Sequence, residues 1–423
     1  MNQLVYSVWL SLATTPGSES FGKLLSRFNS PEDIYNADAT ELAASVGSSS
    51  RDYRALCDKE LLRAEEIVDF CIRKRVGITT FFDNDFPPSL KEIKNPPVLL
   101  YYRGTLPKFE DGVFISVVGT RKPTSYGRTN TFKLSRDLAL SGATVVSGMA
   151  VGIDGVALAG ALSADAPTVA VIGSGIDVCY PASHRRLAQQ IVKAGCVMTE
   201  YAPGTKPERY NFPTRNRIIS GLSSATVVME GSEKSGSLIT ARRAREQGRG
   251  IYAFPGSVGN KNSEASNLLI KNGAKLITSA DDIIADFSDH KPKLLNPFKL
   301  IDAPRVNMND FLIEYKVSCV AIDDEIFKIK RPQKKERSVA EEKATVSTTE
   351  VGEQSGSLLE EKVATAFDKK ILELYKRIPL GEGCAIERLM SEDCGVRDVM
   401  QGLLKLEIGG FVTMLPGERV KRK

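Results

Sequence analysis

GVFISVVGTRKPTSYGRTNTFKLSRDLALSGATVVSGMAVGIDGVALAGALSADAPTVAVIGSG, residues 112–175, holds three short apolar runs, VFISVV, ATVVS and TVAVI, separated by stretches with helical spacing. The runs are short, rich in β-branched residues and apolar at consecutive rather than alternate positions. That is the texture of strands buried on both faces. Strands that alternate with helices imply a parallel sheet covered by helices on either side. The same texture continues outward through CVMTE (196–200), ATVVME (225–230) and GIYAFPG (250–256), with the helical HRRLAQQIVKAG among them. The expected fold class is α/β: an extended, Rossmann-like, doubly wound parallel sheet over residues 79–290. In such sheets ligands sit at the carboxyl ends of the strands.

Residues 1–78 read as a helical module of the SAM-like or helix-hairpin-helix kind. Its expected helices are LVYSVWLSL, FGKLLSRF, a Pro31-started PEDIYNADATELAASVG and one long helix near 53–75. No basic cluster stands out, so a structural or docking role is expected. Residues 291–359 form an extension and a flexible linker, rich in charge, Ser and Thr in its second half. Its basic run (Lys328, Lys330, Arg331, Lys334, Lys335, Arg337) reads as solvated chain. Residues 360–423 read as a winged-helix module: a helix over 360–377, then AIERLMSE, then VRDVMQGLLKLEIG, then a two-stranded wing, FVTMLPGERVKRK, turning at Pro416-Gly417. Asp398 and Glu407 accompany Arg397 and Lys405 on the third helix, which favours docking over reading a DNA groove.

Composition narrows the chemistry. The 423 residues fit two or three domains. Lys and Arg number 57 against 52 Asp and Glu, a net +5 that permits a polyanionic partner without demanding one. No apolar run reaches the ~18 residues of a membrane span, and the first residues lack the basic start of a secretory signal. The seven cysteines are scattered with no Cys-x-x-Cys pair, which argues against a disulfide scaffold or a zinc ribbon and fits a reducing cytoplasm. Two histidines, His184 and His290, leave little for a metal site or a Ser-His-Asp triad. No Gly-x-Ser-x-Gly elbow and no phosphate-binding Walker loop occur. Neither a cofactor nor a metal is expected.

The joints between strand and helix carry the functional signal. In SVVGTRKPTSYGR (116–128) a strand ends at Gly119, and Thr120, Arg121 and Lys122 stand at its mouth, where backbone N–H groups and a helix N-terminus favour an anion. Arg121 can grip a phosphate with two parallel hydrogen bonds. In SGMAVGIDGVA, Ser147 and Gly148 close a strand, Gly152 allows a tight turn, and Asp154 is expected to be the N-cap of the next helix. In VIGSGIDVCYP, Gly173 and Gly175 begin a dinucleotide fingerprint, but Val178 stands where its third glycine belongs. Tyr180 and the basic trio His184, Arg185 and Arg186 follow. In FPTRNRIISGLS, Phe212, Arg215, Asn216 and Arg217 open a helix, with Tyr201 and Tyr210 nearby. The strand ATVVME then leads to Ser235, Gly236 and Ser237, a second backbone anion nest, with Thr240 just inside the helix. Four strand mouths with anion-seeking groups exceed the needs of one nucleotide. Basic groups interleaved with aromatics suit a single strand, whose bases stack while its phosphates pair with guanidinium groups.

Read together, GTRKPTSYG, SGMAVGIDGVA, GSGIDVCYP, FPTRNRIISGLS, SGSLITARRA, GRGIYAFPG and SNLLIKNGAKLITSADDI resemble the DprA/Smf (DNA-processing protein A) family, densely over about residues 80–290. DFPPSLKEIKNPPVLLYYRGTL (85–106) is similar to the family's lead-in. The resemblance implies a non-enzymatic binder of single-stranded DNA that protects incoming strands during natural transformation, helps to load the RecA recombinase and dimerises through the Rossmann-like domain. It also implies that Gly119, Thr120, Arg121, the basic helix start after Tyr180-Pro181, and Arg215, Asn216 and Arg217 contact DNA. After Tyr-Pro the family often has Asn and a nearby Lys. Here Ala182, Ser183, His184, Arg185 and Arg186 follow, so that Arg185 or Arg186 takes the lysine's place. RecA and dimer surfaces are expected near 240–290.

A distant similarity to phosphoribohydrolases of nucleoside monophosphates gives the rival reading. GSEKSGSLITARRA lacks their Glu at the helix start. Glu200 and Glu230 end strands, where carboxylates more often cap loops or orient arginines. A nicotinamide-dependent oxidoreductase is weakened by the missing third glycine.

Overall fold

The computed structural model describes residues 2–288, 306–315, 317, 369–379, 384–385, 389, 399, 403, 406, 411–415 and 419–422. Two compact units divide the chain, residues 1–329 and 330–423.

The first unit opens with six helices: α1 (Asn2–Ala13), α2 (Ser20–Leu25), α3 (Pro31–Asn36), α4 (Ala39–Val46), α5 (Arg51–Cys57) and α6 (Leu62–Lys74). Two helices expected to be continuous are each split. At Asp38 a capping box restarts the helix: the carboxylate accepts from the backbone N–H groups of Thr40 and Glu41, and Glu41 reaches back to the N–H of Asp38. Between α5 and α6 the backbone at Asp58 is extended, and tertiary bonds hold the break. Trp9 Nε1 donates to the Asp58 carbonyl at 2.9 Å, and Tyr35 Oη donates to that of Lys59 at 2.9 Å. Apolar periodicity is indifferent to such breaks.

A nine-stranded sheet follows, comprising β1 (Gly77–Thr80), β2 (Leu99–Gly104), β3 (Phe114–Val118), β4 (Thr144–Ser147), β5 (Thr168–Val171), β6 (Cys196–Thr199), β7 (Ala225–Val228), β8 (Gly250–Ala253) and β9 (Lys275–Leu276). Its spatial order is β1-β2-β6-β5-β4-β3-β7-β8-β9. From β3 outward to β6 on one side and β9 on the other every pairing is parallel. β1 and β2 add an antiparallel edge, which makes the sheet mixed. The boundary expected at 78/79 falls inside β1. α7 (Pro88–Lys91) lies between β1 and β2, and α8 (Ser125–Leu140), α9 (Ile153–Leu162), α10 (Arg185–Ala194), α11 (Asn211–Leu222), α12 (Gly236–Glu246), α13 (Glu264–Lys271), α14 (Asp281–Ser288) and α15 (Met308–Glu314) are the other α-helices among the unit's described residues.

Strand residues alternate between two cores. Ile115, Val117 and Val145 pack with Leu134 and Leu138 of α8 and Ala157 and Ala161 of α9. Phe114, Val118, Val146 and Val228 pack with Ile218 and Leu222 of α11 and Ala241 of α12 on the other face. The consecutive apolar runs of the sequence have this cause. A third core joins the six N-terminal helices to β2, β5, β6, α9 and α10, so the helical module and the sheet share one compact unit.

In the second unit, α16 (Lys369–Arg377) accompanies β10 (Cys384–Ala385), β11 (Val412–Leu415) and β12 (Arg419–Arg422), in the sheet order β10-β12-β11. β11 and β12 form the antiparallel wing, with Val412 opposite Arg422 and Leu415 opposite Arg419. Leu374, Tyr375, Ile378, Val399, Leu403 and Val420 share its core. The expected helices AIERLMSE and VRDVMQGLLKLEIG fall mostly outside the described residues, as do the linker and its basic run. Among the described residues no helix is long and apolar enough to cross a membrane.

Candidate functional site

From β3 the chain winds out to β6 and then returns to β7 on the other side of β3, so the loops after β3 and β7 diverge at the middle of the sheet. This is the switch point at which doubly wound sheets leave a crevice. A hollow of about 470 Å³ lies there. It draws on the segments after five neighbouring strands: Gly119, Thr120 and Arg121 after β3, Ala150 and Asp154 after β4, Tyr180 after β5, Arg209, Phe212 and Arg215 after β6, and Ser232, Ser235 and Thr240 after β7.

Two guanidinium groups and an aromatic ring form its centre. The Arg121 guanidinium carbon lies 5.7 Å from the Phe212 ring centroid and that of Arg215 lies 6.0 Å from it, while Tyr180 stands 5.5 Å from Phe212, ring to ring. Arg121 is exposed. Arg215 is 4 % exposed, and its Nη1 donates to the Gly148 carbonyl at 2.7 Å and to that of Val171. Burial pulls its pKa down to about 10, against the pull of Asp154. Asp154 is itself buried: desolvation raises its pKa, while the Arg215 and Arg121 charges and the backbone N–H groups of Ala150 and Gly148 oppose the rise. The carboxylate therefore braces the arginine floor.

Glycine is required where these groups cross the backbone. A Cβ on Gly148 would stand 2.5 Å from Arg215 Nη1 and 2.5 Å from Asp154 Oδ2. Gly152 has φ +84° and would drive a Cβ to 2.4 Å from the Thr120 carbonyl oxygen. Gly152, and not Asp154, is the N-cap of α9, and Asp154 is the helix's second residue. The sequence reading misplaced it because an Asp two residues after a Gly fits either position. On the opposite wall Ser235 caps α12 and accepts from the Ser237 N–H, so the positive end of an eleven-residue helix faces the hollow.

Not every expected residue is in the hollow. Gly119, Thr120, Arg121, Tyr180, Phe212, Arg215, Asn216, Ser235, Gly236, Ser237 and Thr240 line it. Gly148 lies beneath the Arg215 guanidinium, and Gly173 accepts from Asn211 Nδ2 behind Phe212. Ser147 is buried and donates to the Val117 carbonyl at 2.7 Å, while the N–H of Gly175 bonds Thr205. Lys122 is exposed outside the hollow, its carbonyl held by Asn262. His184 is buried, with Nδ1 3.0 Å from the Met149 carbonyl. Arg185 is exposed on the first turn of α10 and does not line the hollow. Arg186 approaches Glu314 of α15 at 3.8 Å. Arg217 departs most from expectation: it is 5 % exposed and pairs with Glu200 at 2.5 Å, beside residues 14–18 of the helical module. Helical rotation explains the departure, because residues two apart on α11 point to different sides.

Arg209, Pro213, Ala150 and Ser232 line the hollow without having been singled out. Arg209 stands three residues before Phe212, the one signal that would have found it. Glu230 accepts from the N–H and hydroxyl of Thr124, the N-cap of α8, at 2.9 and 2.5 Å. Both strand-end carboxylates thus serve loops and arginines. Among the described residues no cluster of three or more His, Cys, Asp or Glu could hold a metal ion.

The model of the family described as DNA recombination-mediator protein A matches residues 77–288. Protein Smf of Synechocystis is 36 % identical over 345 residues, 81 % of this chain and 79 % of its own. The DNA processing protein DprA of Bacillus subtilis is 41 % identical over 224 residues, 52 % of this chain and 75 % of its own. The X-ray structure of DNA processing protein A from Streptococcus pneumoniae superposes with a TM-score of 0.57 at 34 % identity and covers 68 % of this chain and 98 % of that one.

Proposed function

The chain belongs to the DNA recombination-mediator protein A (DprA/Smf) family, and from that premise we propose that it binds single-stranded DNA along the carboxyl-terminal rim of its sheet and acts by holding the strand. The observation that carries this reading is the cluster of Arg121, Phe212, Tyr180 and Arg215 in a hollow open to solvent beside the N-terminus of α12. Arg121 supplies an accessible cation, Arg215 adds fixed positive charge from below, and the rings offer faces to bases. Phosphate contacts release counterions, so affinity falls with salt, by a slope of about −0.7 per phosphate neutralised. Phosphates carry no base identity, and sequence preference is weak. Duplex bases are already stacked and cannot use the rings, so duplex binds less well.

The phosphoribohydrolase alternative is not favoured. Among the described residues Asp154 is the one carboxylate lining the hollow, and it lies buried beside two arginines. Protection of incoming strands, loading of RecA during natural transformation, a homodimer through the sheet domain and a cytoplasmic location belong to the same proposal. The decisive experiment is competition between oligothymidine and duplex of equal length at several salt concentrations, alongside a solution mass measurement. Preference for single strands with a steep salt slope is expected, and equal affinity for duplex would overturn the reading. Release of free base from a nucleoside monophosphate would restore the enzyme.

A further inference from the structure

A second hollow, of about 290 Å³, lies where the helical module meets the sheet domain, and residues of both line it: Leu12, Thr15 and Arg51 from the helical module, Ala202, Thr205 and Tyr210 from the loop after β6. The start of α11 divides it from the first hollow. Phe212 and Pro213 face the first, Tyr210 and Asn211 the second. Tyr210 stands 72 % exposed on this divide, an aromatic ring left in water beside a cationic groove. Arg51 is exposed, and among the described residues no ion pair includes it. The two carboxylates in the wall are engaged, Asp52 by the hydroxyls of Thr15 and Ser18, Glu200 by Arg217.

We propose that the second hollow is a further nucleotide subsite, in which a base of the bound strand stacks on Tyr210 and enters between the helical module and the sheet while Arg51 meets the adjoining phosphate at the rim. This rests on the single-strand reading of the first hollow. The volume lies just below the ~300 Å³ at which small-molecule pockets begin, so it suits one ring system. The wall carboxylates keep a phosphate out of the interior and leave the rim cation as its partner. The helical module thereby becomes part of the binding track.

The test is anisotropy of the full-length protein with labelled oligothymidines of increasing length, at several salt concentrations, for wild type, Arg121→Ala, Tyr210→Ala and Arg51→Ala. With oligonucleotides long enough to pass Phe212, Tyr210→Ala is expected to weaken binding roughly tenfold and Arg51→Ala to reduce the salt slope by about 0.7. Oligonucleotides that fill the first hollow alone should not distinguish these two variants from wild type. Both side chains are exposed, and unchanged thermal melts will show that folding is intact. If Arg121→Ala weakens binding at every length while the other two match wild type throughout, the subsite is overturned and the first hollow stands. Equal losses at all lengths also overturn it, because they place both residues at the first hollow. A wild-type protein that binds no oligonucleotide removes the underlying reading.

Discussion

Arg121 and Arg215 point into one hollow, yet their replacement should read out differently. Arg121 is exposed and stacks against Phe212, so Arg121→Ala should weaken single-strand binding and lower the salt slope by about 0.7 with an unchanged thermal melt. Arg215 is buried on two carbonyls beside Asp154. Arg215→Ala would leave those carbonyls without their donor and take the nearer cation from the buried carboxylate, which keeps its backbone donors, and should destabilise the protein by about 3–5 kcal/mol, read by denaturant unfolding. From the motif alone both substitutions look like surface changes. Gly148→Ala tests the same floor from below: its methyl would meet the Arg215 guanidinium and the Asp154 carboxylate, with an expected loss of about 1–3 kcal/mol. Glycine at 148 was legible as a strand end, but the side chain that crosses it was not, because Arg215 comes 67 residues later.

Strands β3 to β8 were legible as elements because burial on both faces leaves unbroken apolar runs. β1 and β2 were not, since GITT and LLYYRG lack that texture and gain strand character from each other and from β6. Helix breaks within the N-terminal module were equally hidden, being set by caps and tertiary bonds. Asp52, on α5, ties that helix to the turn before α2 through Thr15 at 2.5 Å and Ser18 at 3.1 Å. Burial raises its pKa, but the hydrogen bonds from Ser20, Thr15 and Ser18 outweigh burial and leave it lowered. A carboxylate with a depressed folded pKa contributes stability that is present above its unfolded pKa and lost as pH falls through the folded value. Acid titration of stability should therefore show a decline below the ordinary aspartate range that Asp52→Asn makes shallower.

Viewed as a whole molecule, the hollow and all the residues that line it belong to residues 1–329. A chain ending at residue 329 should melt cooperatively and retain single-strand affinity in anisotropy measurements. Loss of binding on that truncation would place part of the binding surface in the second unit. Convergence at the rim follows from topology: five loops spread over nearly 120 residues, from Gly119 to Ser237, end beside one another because their strands are neighbours in the sheet.

The amino-acid sequence by itself determined the α/β class, the six parallel strands from β3 to β8, the glycine-rich strand ends and the family, because each is written in local texture or in short motifs. Tertiary structure alone decided which arginine is exposed and which is buried, that Arg217 turns away to Glu200, and that the helical module shares a core and a hollow with the sheet. Those outcomes depend on helix rotation and on partners distant in sequence, and burial is a property of the packed chain that no short stretch carries.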